Sequence, residues 1–403
     1  MNICFLSLDY PSPSGGGGVG NQVRTLGRAL VQAGHRVTVI DLARPNLPTF
    51  SEDNGIRVYR VPQGSLHWYI HKMPGVGPLL ALALRELERG WAACRQVRTL
   101  HQLEPFDIIE GTETGAFWVA FRLREVPLVI RLHGEHYTFH KYTPDLPLTP
   151  ALRLSRVLQR AAMRRARLLI SPSQAHAREI ATELGPGHPP IEVIPNCVDL
   201  NQVQAPGDVE RDNATVLFVG RLERRKGVPL LLEAAGYVVR EFPRTRFVLA
   251  GAPHPTLARS EIDALIQHHA LNRHVQLLGH VPWEELTTWY RRATICVLPS
   301  YYETFGIAAL EPMIFGVPVV ATMAGGLPEV VENGVTGILV PPGDAPALAE
   351  AIVRVLDDPY LRQRMGKAGQ SRLLLRFAVD RVVHETLAVY RQVQRPFQGQ
   401  CVN

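Results

Sequence analysis

The chain is poor in lysine. Among 43 lysines and arginines, lysine occupies only Lys72, Lys141, Lys226 and Lys367. A lysine inside a motif therefore asks for its own explanation, and Lys226 is such a case. Cysteine is scarce too. Cys4, Cys94, Cys197, Cys296 and Cys401 contain no CxxC pair, which argues against a disulfide framework and reads as free thiols in a reducing compartment. No apolar run is long enough to span a bilayer; the longest lies near Leu79–Leu84. The opening MNICFLSLDYPSP lacks a basic leader and runs straight to proline, so it reads as a strand and not as a signal peptide. A cytoplasmic protein is the expectation. The excess of positive charge is small, +6. It suits an anionic ligand or an anionic membrane surface and does not point to nucleic acid. What is present in quantity is apolar residue, 46% of 403, enough for two ordinary domains with sizeable cores.

Short apolar runs recur at Ile3–Leu8, Val37–Ile40, Ile108–Ile109, Leu128–Leu132, Leu168–Ile170 and Ile191–Ile194, with helical patterns such as Val23–Ala33 between them. Continuous apolar strands alternating with helices indicate an α/β protein with parallel sheets covered on both faces. The pattern restarts at Ala214 with ATVLFVGRL and runs on through Phe247–Ala250, Val275–Leu278, Thr294–Leu298, Val317–Ala321 and Gly337–Val340. Between the halves, VDLNQVQAPGDVERDN is polar and aperiodic and reads as a linker. The predicted organisation is an N-terminal domain over 1–198, a linker over 199–213, a second domain over 214–375 and a terminal helix and tail over 376–403.

The second half carries the chemistry. FVGRLERRKG places Arg221 past the end of a strand and Lys226 near the start of a helix. Ligands of open parallel sheets bind beyond the carboxyl ends of strands, and a helix N-terminus adds backbone donors there. Two fixed cations suit a diphosphate; a solvated basic turn is the plainer reading, since Glu223, Arg224 and Arg225 lie between them. Further on, TICVLPSYYETFGIAALEPMIFGVPVVAT puts Glu303 in a turn after a strand and Glu311 in an apolar helix predicted over Phe305–Phe315. Buried carboxylates are costly without partners. The expected partners are ligand hydroxyls: a sugar's at Glu303 and a ribose's at Glu311, about 10 Å apart along a helix. The plainer alternative makes Glu303 a helix-start acid and Glu311 a surface one. In MAGGLPEVVENG, Gly325 and Gly326 let backbone amides face an anion, or simply make a tight turn.

The E-x7-E pair Glu303 and Glu311, the FVGRL…KG segment, VIPNCVD at Val193–Asp199 and GG-x-PE at Gly325–Glu329 together resemble glycosyltransferase family 4, the glycosyl transferases group 1. The resemblance spans essentially the whole chain. It implies the GT-B fold: two Rossmann-like parallel-sheet domains, an interdomain cleft and a C-terminal helix crossing back to the first domain. It implies a retaining transfer of a hexosyl group from a nucleoside-diphosphate sugar, such as a UDP-sugar or GDP-mannose, to a sugar or lipid-linked acceptor in polysaccharide or glycolipid synthesis. No cofactor and no metal are implied. Arg221 and Lys226 are implied at the donor diphosphate, Glu303 at the transferred sugar and Glu311 at the ribose, with Phe305, Gly306 and Ile307 also lining the donor. One departure is visible. Cys197 stands where the family's PNGVD has glycine, so that turn must avoid a conformation favoured by glycine alone.

In the first half, PSPSGGGGVGNQ is glycine-rich between strand and helix. The resemblance places Gly17 and Gly18 at the donor phosphate. It also places His133, at the end of the VIRLHGEHYTFH strand, beside the transferred sugar. Ser173 reads as a helix cap. Glu135, His136 and His140 lie near His133, but their spacing fits no zinc pattern. Gly15-x-Gly17-x-x-Gly20 with Asp41 formally fits a nicotinamide-dinucleotide fingerprint, although Pro11 and Pro13 intervene after the strand; an NAD-type oxidoreductase is the rival activity. A GT-B phosphorylase or epimerase, and a non-catalytic nucleotide-sugar-binding protein, are the others. The acceptor is expected in the first half. There, the arginines of Ala151–Ile170 suggest either a basic helix lying on an anionic membrane or, as the plainer reading, a solvated face.

Overall fold

Strands form where the short apolar runs lie. The computed structural model describes residues 1–7, 9–11, 17–62, 64–72, 77–134, 140–142, 149–198, 212 and 214–394. The chain divides into two compact units, one of residues 1–140, 147–197 and 379 onward, the other of 141–146 and 198–378. The predicted linker falls almost wholly outside the described residues, as do Gly15, Glu135, His136 and Cys401.

The first unit holds β1 (Asn2–Leu6), β2 (Arg36–Leu42), β3 (Phe50–Asp53), β4 (Ile56–Val61), β5 (Ile108–Gly111), β6 (Leu128–Arg131), β7 (Leu168–Ser171) and β8 (Ile191–Val193). They form one sheet in the order β3-β4-β2-β1-β5-β6-β7-β8, parallel apart from the antiparallel β3–β4 pair. Alternate residues of β1 feed opposite cores. Ile3 and Phe5 pack with the helices Gly18–Gln32 and Val379–Gln394, whereas Cys4 and Leu6 face Ala93, Val97, Val119 and Met163 on the other side. This is why these strands read as unbroken apolar runs: both faces are covered.

The helix Val379–Gln394 follows the last element of the second unit and belongs to the first. Its Val382, Leu387 and Tyr390 are buried in the core of β1 and β2. Two polar links add direction. Arg131 pairs with Glu110 through Nε (2.8 Å) and Nη2 (3.1 Å) and donates to Thr386 Oγ1 (3.2 Å). Tyr390 Oη donates to Glu110 Oε2 at 2.6 Å.

The second unit holds β9 (Thr215–Val219), β10 (Arg246–Ala250), β11 (Val275–Gly279), β12 (Ile295–Leu298), β13 (Val319–Thr322) and β14 (Gly337–Val340). Their order is β11-β10-β9-β12-β13-β14, parallel throughout. The two halves thus share a doubly wound architecture, with the strand order reversing beside β1 and beside β9.

Three sequence expectations change. The hairpin β3–β4 was not anticipated; it turns at Asn54–Gly55, both at positive φ (48° and 83°), the backbone that a two-residue hairpin turn requires. The basic helix expected over Ala151–Ile170 stops at Arg165, because Leu168–Ser171 is a buried sheet strand. Four of its five arginines serve the chain itself: Arg156 bonds Glu183 at 2.9 Å, Arg160 and Arg164 bond the carbonyl of Leu184, and Arg165 lies over the ring of Phe121. The helix expected from Phe305 begins at Ile307. Cys197 is buried and is not among the non-glycine residues at positive φ, so its turn needs no glycine. Among the described residues no helix is long and apolar enough to cross a membrane.

Candidate active site

The strand order of the second sheet reverses between β9 and β12, and the loops leaving these two strands meet there. The loop after β9 ends in a short turn of 3-10 helix, Arg224–Lys226, and then Gly227 at φ 72°. A Cβ on Gly227 would stand 1.9 Å from the carbonyl oxygen of Pro299, which leads into the loop after β12. Only glycine lets these backbones come so close.

A buried ion pair fixes the contact. Arg225 and Glu223 are 5% and 4% exposed and bond at 2.6 Å. Arg225 also donates to the carbonyl of Tyr302 at 2.9 Å, and Tyr301 N–H donates back to the Arg225 carbonyl at 2.8 Å. The segment is therefore no solvated basic turn. Glu223 and Arg225 form an internal clamp beside Arg221 and Lys226, whose side chains are 55% and 20% exposed. Arg221 is half exposed, with a loose contact to Glu223 at 3.6 Å.

Glu303 is 7% exposed. Its partners correct the sequence expectation, which looked to a ligand alone. Lys226 Nζ donates to Oε1 at 2.6 Å and Ser300 Oγ to the same oxygen at 2.7 Å. Burial by itself would raise this carboxyl; the charges of Lys226 and Arg225 and the two hydrogen bonds hold it below the ordinary range, so it is ionised. No hydrogen bond to Oε2 forms among the described residues. Glu311 lies one helix on, partly buried, and accepts from Tyr290 Oη through Oε2. Burial raises its carboxyl to about 7, against the Tyr290 hydrogen bond and the Lys226 charge. It is no surface acid.

The elements that hold these acids are tightly packed. Gly306, at φ 100°, caps the helix Ile307–Ile314. The Phe305 side chain is buried, edge-on to Phe377 with ring centroids 5.7 Å apart. The Ile307 side chain is partly buried against the same core. Phe305 can therefore meet a ligand only through its backbone. Gly326 does not present a free amide to an anion. Gly326 N–H donates to the Glu303 carbonyl at 2.8 Å, and a Cβ on Gly325 would stand 2.0 Å from that oxygen. The glycine pair is a close-approach turn that holds the Glu303 loop in place.

The remaining predicted residues belong to the first unit. Gly17 caps the helix Gly18–Gln32; its N–H bonds the Asp9 carboxylate, and Gly18 is exposed with open space where a Cβ would stand. His133 follows β6. Its N–H and that of Gly134 both donate to Glu113 Oε1, at 2.6 and 3.1 Å. Burial, then Arg131 and His176, lower the imidazole to about 3, so it is neutral. Asp41, the acid of the dinucleotide fingerprint, is wholly buried and accepts from Tyr10 N–H at 3.1 Å, which leaves no room for a ribose. Ser173 caps its helix by accepting from His176 N–H. Among the described residues no group of three or more His, Cys, Asp or Glu side chains is placed to hold a metal ion.

The family model for Glycosyltransferase Family 4 matches residues 16–202, and that for Glycosyl transferases group 1 matches residues 202–372. Glycogen synthase of Mycobacterium tuberculosis is 31% identical over 98% of this chain and 95% of its own length. The chain belongs to glycosyltransferase family 4. The 2-deoxystreptamine glucosyltransferase of Streptomyces kanamyceticus is 28% identical, covering 92% of this chain and 98% of its own. Among solved structures, sucrose-phosphate synthase of Thermosynechococcus elongatus is similar with a TM-score of 0.78 and 28% identity, over 98% of this chain and 99% of that one. Both units are parallel-sheet α/β domains of the GT-B type, and the protein is a glycosyltransferase. This displaces the oxidoreductase reading.

Sequence reasoning missed Ser300, Tyr290 and the Glu223–Arg225 clamp. Ser300 was within reach, three residues before Glu303 at a strand end. Tyr290 was not: it sits on the helix Trp283–Arg292, one aromatic among the residues of an amphipathic pattern.

Proposed function

We propose that this glycosyltransferase takes a hexosyl group from a nucleoside-diphosphate sugar and passes it, with retention and without a metal ion, to an acceptor hydroxyl. The second unit takes the donor and the first the acceptor. The observation that carries the reading is the Lys226–Glu303 pair at the strand-order reversal, with Glu311 one helix away and Arg221 exposed beside it. An ammonium has three donors. Lys226 spans two jobs: one N–H holds Glu303 and the others meet the diphosphate, with Arg221 adding charge. Glu303 Oε2 accepts from hydroxyls of the transferred sugar and Glu311 from the ribose. As the sugar departs, charge grows on the leaving diphosphate, and Arg221 and Lys226 stabilise it. A phosphate oxygen takes the acceptor's proton on the same face. The neutral His133 serves as a hydrogen-bonding group and not as a cation, and of the two glycines Gly18, exposed and with open space around it, is the one available to a phosphate. A relative named a glucosyltransferase supports a hexosyl group.

The test is a donor screen. Release of nucleoside diphosphate is read from UDP-, GDP- and ADP-hexoses, with the anomeric configuration of the product assigned by NMR. One donor class should turn over to give the retained anomer; an inverted product or no turnover with any of them refutes the reading. A second reading for the acceptor, a lipid-linked one at an anionic membrane, is favoured by exposed Leu154 and Val157 beside Arg153. Co-sedimentation with anionic vesicles at low salt, lost at high salt, would support it.

A further inference from the structure

Tyr290 is wholly buried, stacked on Phe315 with centroids 5.7 Å apart at 13°, and packed among Leu217, Cys296 and Val317. A phenylalanine would serve that packing. A hydroxyl in such surroundings is costly unless bonded, and the one hydrogen bond it makes among the described residues is to Glu311 Oε2. No hydrogen bond to the other oxygen, Oε1, forms among the described residues. The carboxylate is thus held on one side by a rigid ring and open on the other. Lys226, from the loop after β9, contributes the nearby charge.

We propose that Tyr290 is a positioning residue for donor recognition: by holding Oε2 of Glu311 it aims Oε1 at the ribose hydroxyls, and so sets the preference for a ribonucleotide over a 2′-deoxyribonucleotide. The inference rests on the assignment of Glu311 to the ribose. A carboxylate free to rotate loses part of its hydrogen bond to a positioning cost that a fixed one avoids.

The experiment is titration calorimetry with UDP, GDP and ADP, each beside its 2′-deoxy counterpart, on the wild type, Y290F, E311A and the double variant. The wild type should prefer one ribonucleotide over its deoxy form by roughly tenfold, as expected for a charge-assisted hydrogen bond. Y290F should reduce that preference to about twofold or less, with the deoxy affinity unchanged. E311A should abolish it, and adding Y290F to E311A should change nothing further. In turnover assays Y290F should raise the donor KM with little change in kcat, because the ribose is remote from the reacting carbon. A Y290F protein that keeps the full preference, while E311A loses it, overturns the proposal and leaves the ribose assignment standing. An E311A protein that keeps the preference, or a wild type that binds none of the three, overturns both. Thermal melting checks that Y290F folds. If it does not, F315L loosens the ring without touching hydroxyl or carboxylate and should erode the same preference; an unchanged preference in F315L then counts against the proposal.

Discussion

Each unit buries a glutamate that accepts a hydrogen bond from a fully buried tyrosine, and the two arrangements finish differently. In the first unit Tyr390 bonds Glu110, and Arg131 takes both carboxylate oxygens, with both side chains 3% exposed. Both oxygens of Glu110 are taken up within the chain, and the network ties the returning helix Val379–Gln394 to the sheet. In the second unit Tyr290 bonds one oxygen of Glu311, while Lys226 and Ser300 share one oxygen of Glu303. Each of these acids keeps an oxygen with no hydrogen bond among the described residues, and the cations beside them are 20% (Lys226) and 55% (Arg221) exposed. Buried charge of the first kind specifies how elements pack; the second kind leaves on each acid an oxygen not used in packing, as the proposed donor site requires.

The comparison can be broken by exchanging the expected outcomes. The largest effect should come from E303A or K226A, with kcat reduced about a thousandfold, while R221A, at a half-exposed position, should cost about a hundredfold with little change in melting temperature. E110A should reverse the pattern. It leaves Arg131 buried without its carboxylate, so unfolding in denaturant should show a loss of about 3–5 kcal/mol, with kcat per folded molecule retained. If E110A instead lowered kcat without loss of stability, the division between the two clusters would fail.

Smaller effects sharpen it. Burial holds the Glu311 carboxyl at about 7, with Tyr290 and Lys226 the groups that face it. A ribose hydroxyl donates best to the ionised form. The donor KM should therefore be lowest above pH 7 and rise as the pH falls through it, by up to about tenfold per unit for a single required deprotonation. E311Q should flatten that profile; an unchanged profile in E311Q would detach the titration from this residue. The smallest effect belongs to T386A. Loss of its bond to Arg131 should cost about 1 kcal/mol of stability and leave turnover unaltered.

The parts of this account that were legible in the sequence are those carried by short spacings. Glu303, Gly306 and Glu311 lie within one turn and helix after a strand, and Arg221 and Lys226 within one loop, so residue type and strand position were enough. Partners distant along the chain were not legible. Tyr390 meets Glu110 across 280 positions, and Tyr290 meets Glu311 from a different helix. In both cases the tyrosine reads only as one apolar member of an amphipathic pattern. Arg225 misled for another reason: a run of arginines looks solvated, yet one of them reaches a buried acid and a backbone carbonyl. The Asn54–Gly55 turn was legible in principle, since that dipeptide between alternating residues marks a hairpin. The sequence shows the charge of the arginines around 151–167 but not that Arg156, Arg160 and Arg164 each bond a partner within the chain.

The central claim is most directly tested by single-turnover measurement with the donor identified in the screen, comparing wild type with E303A and K226A at matched folded fraction. The account predicts rapid release of nucleoside diphosphate by the wild type and a loss of about a thousandfold in each variant. Full release by both variants would contradict it.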